Sequence, residues 1–146
     1  MLDLPSEGGE EVRLVIPGEP VAQGRPRATR QGRVYDPETS RNYKAYVRLL
    51  ASQKKGVARL AGPLSVKITA VFSIPKSKPK KFKAAALELK ELPTKRPDID
   101  NLAKIVCDSV NGILWDDDCQ IVELSVRKIY GEAPRVEMEV EKVEVA

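Results

Sequence analysis

One segment of the chain alternates apolar and polar residues more regularly than any other, and it limits the possible folds most. Between Leu64 and Ile74 every second residue is apolar, and Pro75 ends the pattern. Successive side chains of a strand point to opposite faces, so this period of two predicts a strand with one buried face. The chain is therefore expected to contain a sheet.

Other apolar residues recur at helical spacing and predict three helices. They cover residues 40–54, 84–90 and 101–110. Ser40 is placed to cap the first helix, and the pair Asn111-Gly112 is placed to end the last one.

Shorter alternating segments predict three more strands. They cover residues 12–16, 122–126 and 136–140, and a turn at 131–134 joins the last two as a hairpin. Strands and helices in this order indicate the α+β class. We expect a small mixed β-sheet covered by helices, a two-layer sandwich.

The chain has 146 residues, the size of one domain, so residues 1–146 are expected to form a single domain. Residues 1–11 are acidic and have no apolar segment behind a positive one, which predicts a flexible acidic segment rather than a secretory signal. No apolar stretch approaches the roughly 20 residues that cross a bilayer. We expect a cytoplasmic protein without membrane association.

The sequence contains no histidine, and this excludes several classes of active site. Ser/His and Cys/His nucleophiles, zinc sites with histidine ligands and histidine-based nuclease motifs all need that side chain. The two cysteines, Cys107 and Cys119, lack the spacing of a metal knuckle or a redox pair. Acid, base or metal chemistry must therefore use carboxylates and lysines.

Charge is distributed unevenly along the chain. Residues 13–97 carry 20 basic against 5 acidic side chains, and residues 98–146 carry 5 against 12. This pattern predicts one surface for a polyanion and another place that collects carboxylates. The alternative is that the lysines only solvate the surface.

Two basic segments are candidates for contact with DNA phosphates. The first alternates arginines with Pro and Gly in an extended loop or ribbon, and the second is a lysine run after the clearest strand. The alternatives are a solvated arm and a solubilising linker. The residues assigned to DNA binding are Arg25, Arg27, Arg30, Arg33, Lys76, Lys78, Lys80, Lys81 and Arg96.

Two aspartates precede the last predicted helix. Asp98 and Asp100 are two residues apart, so an extended segment would put both carboxylates on one face, where they could share a hard cation. Asp100, Lys104 and Asp108 recur at helical spacing, so Lys104 would lie one turn from the carboxylates. The alternative is a helix cap with surface salt bridges.

The turn Asp116-Asp117-Asp118 strengthens the metal hypothesis, because three consecutive carboxylates repel one another unless a positive charge lies beside them. Carboxylate ligands without histidine or thiolate favour Mg²⁺ or Mn²⁺. Such a site hydrolyses phosphodiesters by activating water and neutralising the leaving oxygen. Lys104 could add positive charge at the transition state. The alternative is a charged turn.

These residues resemble the motifs of the RusA family of Holliday junction resolvases. Residues 96–104 (RPDIDNLAK) give the pattern D-x-D-N-x-x-K, and Asp117 to Gln120 give D-D-x-Q. Residues 17–20 and 24–27 add a weaker likeness to the amino-terminal part of phage and Gram-positive members.

The resemblance implies a small homodimeric, Mg²⁺-dependent endonuclease of α+β fold, with Mn²⁺ as an alternative ion, that nicks four-way DNA junctions symmetrically. It implies Asp98, Asp100 and Asp118 as catalytic metal ligands and Lys104 as the catalytic lysine. Asp116 makes a triplet where the family often shows a pair, so Asp117 is the competing ligand. A junction of approximate two-fold symmetry needs two equivalent cuts, which a two-fold dimer supplies.

Two other functions remain open at this point. A non-catalytic nucleic-acid-binding module would explain the basic segments but has little use for a carboxylate cluster. A nucleotidyl- or glycosyl-transfer enzyme could use D-x-D with Mg²⁺, although the sequence has no Gly-rich phosphate loop. Metal-dependent cleavage and nucleotide affinity are the measurements that discriminate these functions.

Overall fold

The structure is a computed structural model that describes residues 11–25, 27–35, 37–54 and 59–145. The described residues contain six strands, in chain order β1 (Glu11–Pro17), β2 (Arg27–Ala28), β3 (Val34–Tyr35), β4 (Leu64–Ser73), β5 (Ile121–Gly131) and β6 (Arg135–Lys142). Between them lie three helices and one 3₁₀ turn: α1 (Glu38–Ser52), α2 (Lys80–Leu87), α3 (Ile99–Val110) and the turn Asp118–Gln120.

Four strands form one mixed sheet in the order β1-β6-β4-β5. β4 pairs in parallel with β5 and antiparallel with β6, and β6 pairs antiparallel with β1. β2 and β3 form a separate two-stranded ribbon, as expected for the arginine-rich loop. The prediction of a small mixed sheet is confirmed.

The helices cover one face of the sheet. α1 and α3 pack against each other, and their buried side chains join those of the strands in a single apolar core. β1 and β6 alternate buried with more exposed residues, so their other face is polar, with Arg13 Nη2 2.6 Å from Glu139 Oε1. The two layers confirm the α+β class.

The predicted hairpin of the last two strands is wrong. β5 and β6 are consecutive in the chain, but β4 lies between them in the sheet. Met138 of β6 lies opposite both Leu14 of β1 and Ile68 of β4, so β6 is a central strand. The turn after Gly131 therefore carries the chain past β4 rather than back along β5.

Two helix boundaries also differ from the prediction. α1 begins at Glu38, so Ser40 lies inside the helix, where its buried hydroxyl accepts a hydrogen bond from the backbone N–H of Gly24 at 2.9 Å. α2 begins at Lys80 rather than Ala84 and ends at Leu87. Lysine has a good helix propensity, so the end of the lysine run joins the helix.

The predicted flexible acidic segment at residues 1–11 falls mainly on residues 1–10, which lie outside the described residues, while Glu11 already belongs to β1. In the described part of the chain, no helix is long and apolar enough to cross a membrane. Cys107 is buried and Cys119 is exposed, and both thiols are free.

Candidate active site

α3 has a core side and an outer side. Leu102, Ile105 and Val106 are almost completely buried and fix how the helix sits on the sheet. This orientation leaves Asp100 and Lys104 exposed on the outer side, one helical turn apart.

A groove of about 420 Å³ runs between the outer side of α3 and the start of β5. Asp100, Lys104 and Asp108 line it from the helix, and Asp118 lines it from the 3₁₀ turn. Its remaining walls are formed by Ala103, Cys107, Ile121, Val122, Glu123 and Leu124. The structure therefore brings together three of the predicted site residues, Asp100, Lys104 and Asp118.

The charged side chains of this groove affect the pKa of Asp118. The pKa of Asp118 is raised, first by partial burial and then by the neighbouring carboxylates of Asp117 and Asp108, while the Lys104 ammonium opposes the shift. Lys104 Nζ lies 3.4 Å from Asp108 Oδ2. The groove thus holds more negative than positive charge, with one ammonium beside its carboxylates.

The other two aspartates of the triplet have different partners. Asp116 Oδ1 lies 3.0 Å from Arg59 Nη1 in an exposed ion pair. The pKa of Asp117 is lowered, mainly because its carboxylate accepts a hydrogen bond from the Cys119 thiol. Of the three, only Asp118 lines the groove.

Gln120 holds the acidic turn in place. Its Oε1 accepts hydrogen bonds from the backbone N–H groups of Asp116 at 2.9 Å and Asp117 at 3.1 Å. Its Nε2 donates to the carbonyl oxygens of Leu60 at 3.1 Å and Gly62 at 3.0 Å. The glutamine therefore ties the turn to the segment before β4.

The connection from α3 to the acidic turn is anchored in the core. Trp115 is completely buried, and its indole Nε1 donates a hydrogen bond to Asn111 Oδ1 at 2.5 Å. The predicted helix stop at Asn111-Gly112 is confirmed, with Gly112 at a φ of 81°. A buried anchor of this kind limits how far the turn can move from the helix.

Asp98 lies apart from the groove. It occupies the N-cap position of α3 with extended backbone, φ −74° and ψ 151°, and its side chain makes no capping hydrogen bond. It lines a second cavity of about 630 Å³ together with Arg25 and Arg96. Asp100 is already helical, so the two-residue alternation of an extended segment does not apply to this pair.

No cluster of three or more His, Cys, Asp or Glu side chains in the described residues is arranged to hold a metal ion. The groove nevertheless offers carboxylate oxygen donors, from Asp100, Asp108, Asp118 and Glu123. Mg²⁺ keeps several water molecules and is often held by one or two carboxylates together with substrate phosphates. The donor chemistry of the groove therefore fits such an ion.

The residues assigned to DNA binding lie in three regions. Arg25 and Arg96 line the second cavity, Arg30 and Arg33 are exposed in the β2–β3 ribbon, and the side chain of Arg27 lies outside the described part. The four lysines are exposed between β4 and the first turn of α2, at Lys76, Lys78, Lys80 and Lys81.

Sequence reasoning did not assign three residues that shape the site. Asp108 lines the groove, and its helical spacing from Lys104 is the signal for it. Gln120 had a signal only in the spacing of D-D-x-Q. Cys107 had no sequence signal, because a cysteine one helical turn from Lys104 looks like any other core residue. Burial, followed by the charges of Asp118 and Asp108, raises the pKa of its thiol to about 12.

Comparison with known proteins identifies the family. A family model described as endodeoxyribonuclease RusA matches residues 17–141. The chain is 42% identical over 139 residues to "Uncharacterized protein YqaN" of Bacillus subtilis (strain 168), covering 90% of this chain and 96% of that protein. It is 29% identical over 110 residues to the crossover junction endodeoxyribonuclease rusA of Lactococcus phage r1t, covering 75% and 77% of the two chains. The chain belongs to the RusA family of endodeoxyribonucleases, which are hydrolases of phosphodiester bonds.

Proposed function

We propose that this protein is a Mg²⁺-dependent endonuclease that resolves four-way DNA junctions by paired symmetric nicks during recombination and repair. The printed name of the phage relative supports crossover junctions as the substrate. Two free cysteines support a reducing compartment, and we propose that the protein acts in the cytoplasm.

The observation that carries this proposal is the convergence of Asp100, Asp118 and Lys104 on one groove. They come from two elements that are separated by the buried Trp115 connection, so the convergence is a property of the fold. Carboxylates would repel DNA phosphates unless a cation lay between them. A site of this composition therefore suits catalysis better than simple binding of nucleic acid.

In this proposal Asp100 and Asp118 hold the divalent cation, and the family resemblance adds Asp98 as a third ligand. When bound, the ion would lower the pKa of a coordinated water and neutralise charge on the leaving oxygen. Lys104 places its ammonium beside the same carboxylates and stabilises the negative charge that develops on the attacked phosphate. We propose Asp118 over Asp117 because only Asp118 lines the groove.

The basic residues would hold the junction arms. Arg25 and Arg96 line the second cavity together with Asp98. Asp98 is the residue immediately before α3, and the outer side of α3 lines the groove. Guanidinium groups there can bind phosphates next to the one that is cut, and the exposed lysines and ribbon arginines can bind phosphates further along the arms. We propose that a two-fold dimer supplies the two equivalent sites.

The test is cleavage of labelled four-way, three-way and linear DNA, each with Mg²⁺ and with a chelator. The proposal expects paired nicks in the four-way junction only, and only with Mg²⁺. Asp118→Asn should abolish cleavage and keep or strengthen junction binding, since a negative charge near the phosphate is removed. Asp116→Asn is the matched control in the same triplet, and it should cleave like the wild type because its carboxylate pairs with Arg59 outside the groove.

Three results would count against the proposal. Junction binding without metal-dependent cleavage would indicate a non-catalytic module, and tight binding of free nucleotides would indicate a transfer enzyme. Full activity of Asp118→Asn together with loss in Asp117→Asn would move the ligand by one residue.

A further inference from the structure

β5 lies at the edge of the sheet. In the described residues its only strand neighbour is β4, on one side. The outer side of such a strand presents backbone N–H and C=O groups that can pair with another strand. β5 is 11 residues long, long enough for an extended pairing.

The exposed side chains of β5 differ on its two faces. Val122 is 60% exposed and Leu124 is 51% exposed, and Leu124 lies opposite the buried Val66 of β4 on the face that the helices cover. Glu123 and Arg127 are exposed. They lie opposite Ser65 and Thr69 of β4 and belong to the polar face of the sheet. The strand therefore combines an apolar strip with two opposite charges.

The other edge strand, β1, has no comparable free charges. Arg13 is 3.4 Å from Glu11 and 2.6 Å from Glu139, so its charge is neutralised within one copy. Glu123 and Arg127 form no ion pair within the described residues. Charge complementarity to a partner is therefore available at β5 rather than at β1.

Two copies of one strand can pair antiparallel around a two-fold axis perpendicular to the sheet. Such an axis keeps each side chain on its own face. From Glu123 onward β5 pairs regularly with β4, so in that part of the strand directly opposed residues must both be odd or both be even in number. The axis must consequently lie midway between the two copies of one residue, which is the central residue of the pairing. Only a few residues of β5 can take this central position.

Ser125 is the centre at which the strand complements itself. Glu123 then lies opposite Arg127 of the partner subunit and Leu124 lies opposite Val126 of the partner subunit. Val122 lies opposite Lys128 of the partner subunit, at the point where the pairing register of β5 with β4 shifts, so the matched pairs are those between Glu123 and Arg127. Opposite charges and apolar pairs across strands each stabilise a pairing.

The two adjacent centres lose this match. An axis through Leu124 leaves Glu123 opposite a serine of the partner subunit. An axis through Val126 places Leu124 opposite Lys128 of the partner subunit. Both registers lose the pairing of Glu123 with Arg127.

We propose that β5 pairs antiparallel with β5 of a second copy, centred on Ser125, to form one continuous eight-stranded sheet. This proposal rests on the two-fold dimer of the proposed function and assigns its interface. The axis keeps the helices of both copies on one side. Because Leu124 and Ile121 line the groove one and four residues from the axis, the two grooves would open roughly 7 to 26 Å apart along the strands, at about 3.3 Å per residue.

The first experiment is cross-linking at the axis. Ser125→Cys is made in a Cys119→Ser background, because Cys119 is an exposed thiol. Opposed Cα atoms of antiparallel strands are about 4.5 to 5.5 Å apart, within the range of a disulfide. Mild oxidation should give a covalent dimer that is absent from Cys119→Ser alone and from Val15→Cys in the same background, a control exposed on the opposite edge strand.

The second experiment exchanges the charges, with sedimentation as the readout. Glu123→Arg or Arg127→Glu alone puts two like-charge contacts in each dimer and should weaken association about tenfold. The double variant restores opposite charges and should recover wild-type association.

The proposal is overturned if the protein dimerises without a Ser125→Cys cross-link, or if the charge variants associate like the wild type. It is also overturned if the double variant associates no better than the single ones. In those cases metal-dependent junction cleavage by the wild type would still support the proposed function, with its dimer formed through another surface.

Discussion

Lys104 is the one basic side chain among the described residues that line the carboxylate groove. Its Nζ lies 3.4 Å from Asp108 Oδ2, and its charge favours the ionised form of Asp118. The side chain is 61% exposed, so this ion pair adds little to folding stability. Its value must therefore lie in the charge that it brings to the groove.

Replacing Lys104 by Ala should reduce the cleavage rate of bound junction about 100-fold or more, because the charge that develops on the attacked phosphate loses its nearest ammonium. Junction affinity should change little, since many other basic residues are proposed to contact the DNA. Single-turnover cleavage and a binding titration measure the two effects separately. Lys54→Ala, an exposed lysine at the end of α1, serves as control. Equal losses in rate and affinity would make Lys104 an ordinary phosphate contact.

At this scale the sequence predicts what helix geometry makes local. Asp100 and Lys104 share one side of α3 because they are four residues apart, and the structure confirms that placement. The position of Asp98 could not be predicted in the same way, because it depends on where the helix begins. One residue of extended backbone before Ile99 is enough to direct Asp98 into another cavity.

Among the elements, α1 holds one wall of the second cavity through a single buried hydroxyl. Ser40 is 2% exposed, and its Oγ accepts the backbone N–H of Gly24, whose neighbour Arg25 lines that cavity. A Cβ on Gly24 would lie 2.9 Å from Pro37 Cγ and 3.0 Å from Ser40 Oγ, so the loop passes α1 closely.

Ser40→Ala should lower the free energy of unfolding by about 1 to 2 kcal/mol, because the Gly24 N–H loses its partner in a partly buried place. Urea unfolding measures the change. Ser52→Ala, in the exposed last turn of the same helix, should be neutral within about 0.5 kcal/mol. Similar values for both variants would show that the Ser40 hydrogen bond contributes nothing.

The lysines at the start of α2 are poorly placed for helix stability. Lys80 and Lys81 lie in the first turn, where the helix dipole favours negative charge. Lys78 precedes the helix, and its Nζ makes a favourable cation–π contact 4.9 Å from the ring centroid of Phe82, which does not offset the repulsion at Lys80 and Lys81. The cost of this arrangement is consistent with a role in binding a polyanion.

Changing Lys78, Lys80 and Lys81 together to Gln should make junction affinity less dependent on salt. Each lost phosphate contact should reduce the slope of log affinity against log salt by about 0.9, since fewer counterions are released. Titrations at several salt concentrations measure the slope. A control triple variant at the exposed Lys54, Lys67 and Lys90 should keep the wild-type slope. An unchanged slope in the first variant would assign the lysine run to solubility.

Sequence patterns predicted where each strand and helix lies better than they predicted which strands are neighbours in the sheet. The period of two predicted the bounds of β4 to within one residue, because the alternation of buried and exposed side chains depends only on residues of the strand itself. The pairing of β5 was predicted wrongly. A short turn before β6 is compatible with β6 pairing directly with β5, and also with β6 pairing on the far side of β4. Which occurs depends on the distant β4 and β1, and no local pattern carries that information.

At the scale of the whole molecule, the proposed function needs two cuts per junction, and with one groove per copy it requires two copies to act together. Wild-type protein mixed with excess Asp100→Asn protein, under conditions of subunit exchange, should form dimers with one active groove. These dimers should nick one strand and seldom complete resolution. Gel analysis of nicked and resolved products measures the ratio. Excess Asp116→Asn protein is the control and should leave paired nicking intact.

Sedimentation tests the same model independently. A protein that is monomeric at working concentration and still makes paired nicks would contradict it, and two separate binding events would then be the simpler account.

The strand order also has a consequence for how the chain folds. β6 lies between β1 and β4 in the sheet. β1 therefore cannot join the sheet until residues 135–142 have paired with β4. The groove needs only α3, the acidic turn, β5, and β4 with the Leu60–Gly62 segment that holds the turn, all within residues 60–131. Contacts between residues far apart in the chain form slowly, and the pairing of Glu11 with Glu141 spans almost its whole length. We therefore expect the parallel unit that carries the carboxylates to assemble first and the opposite edge of the sheet to join it last.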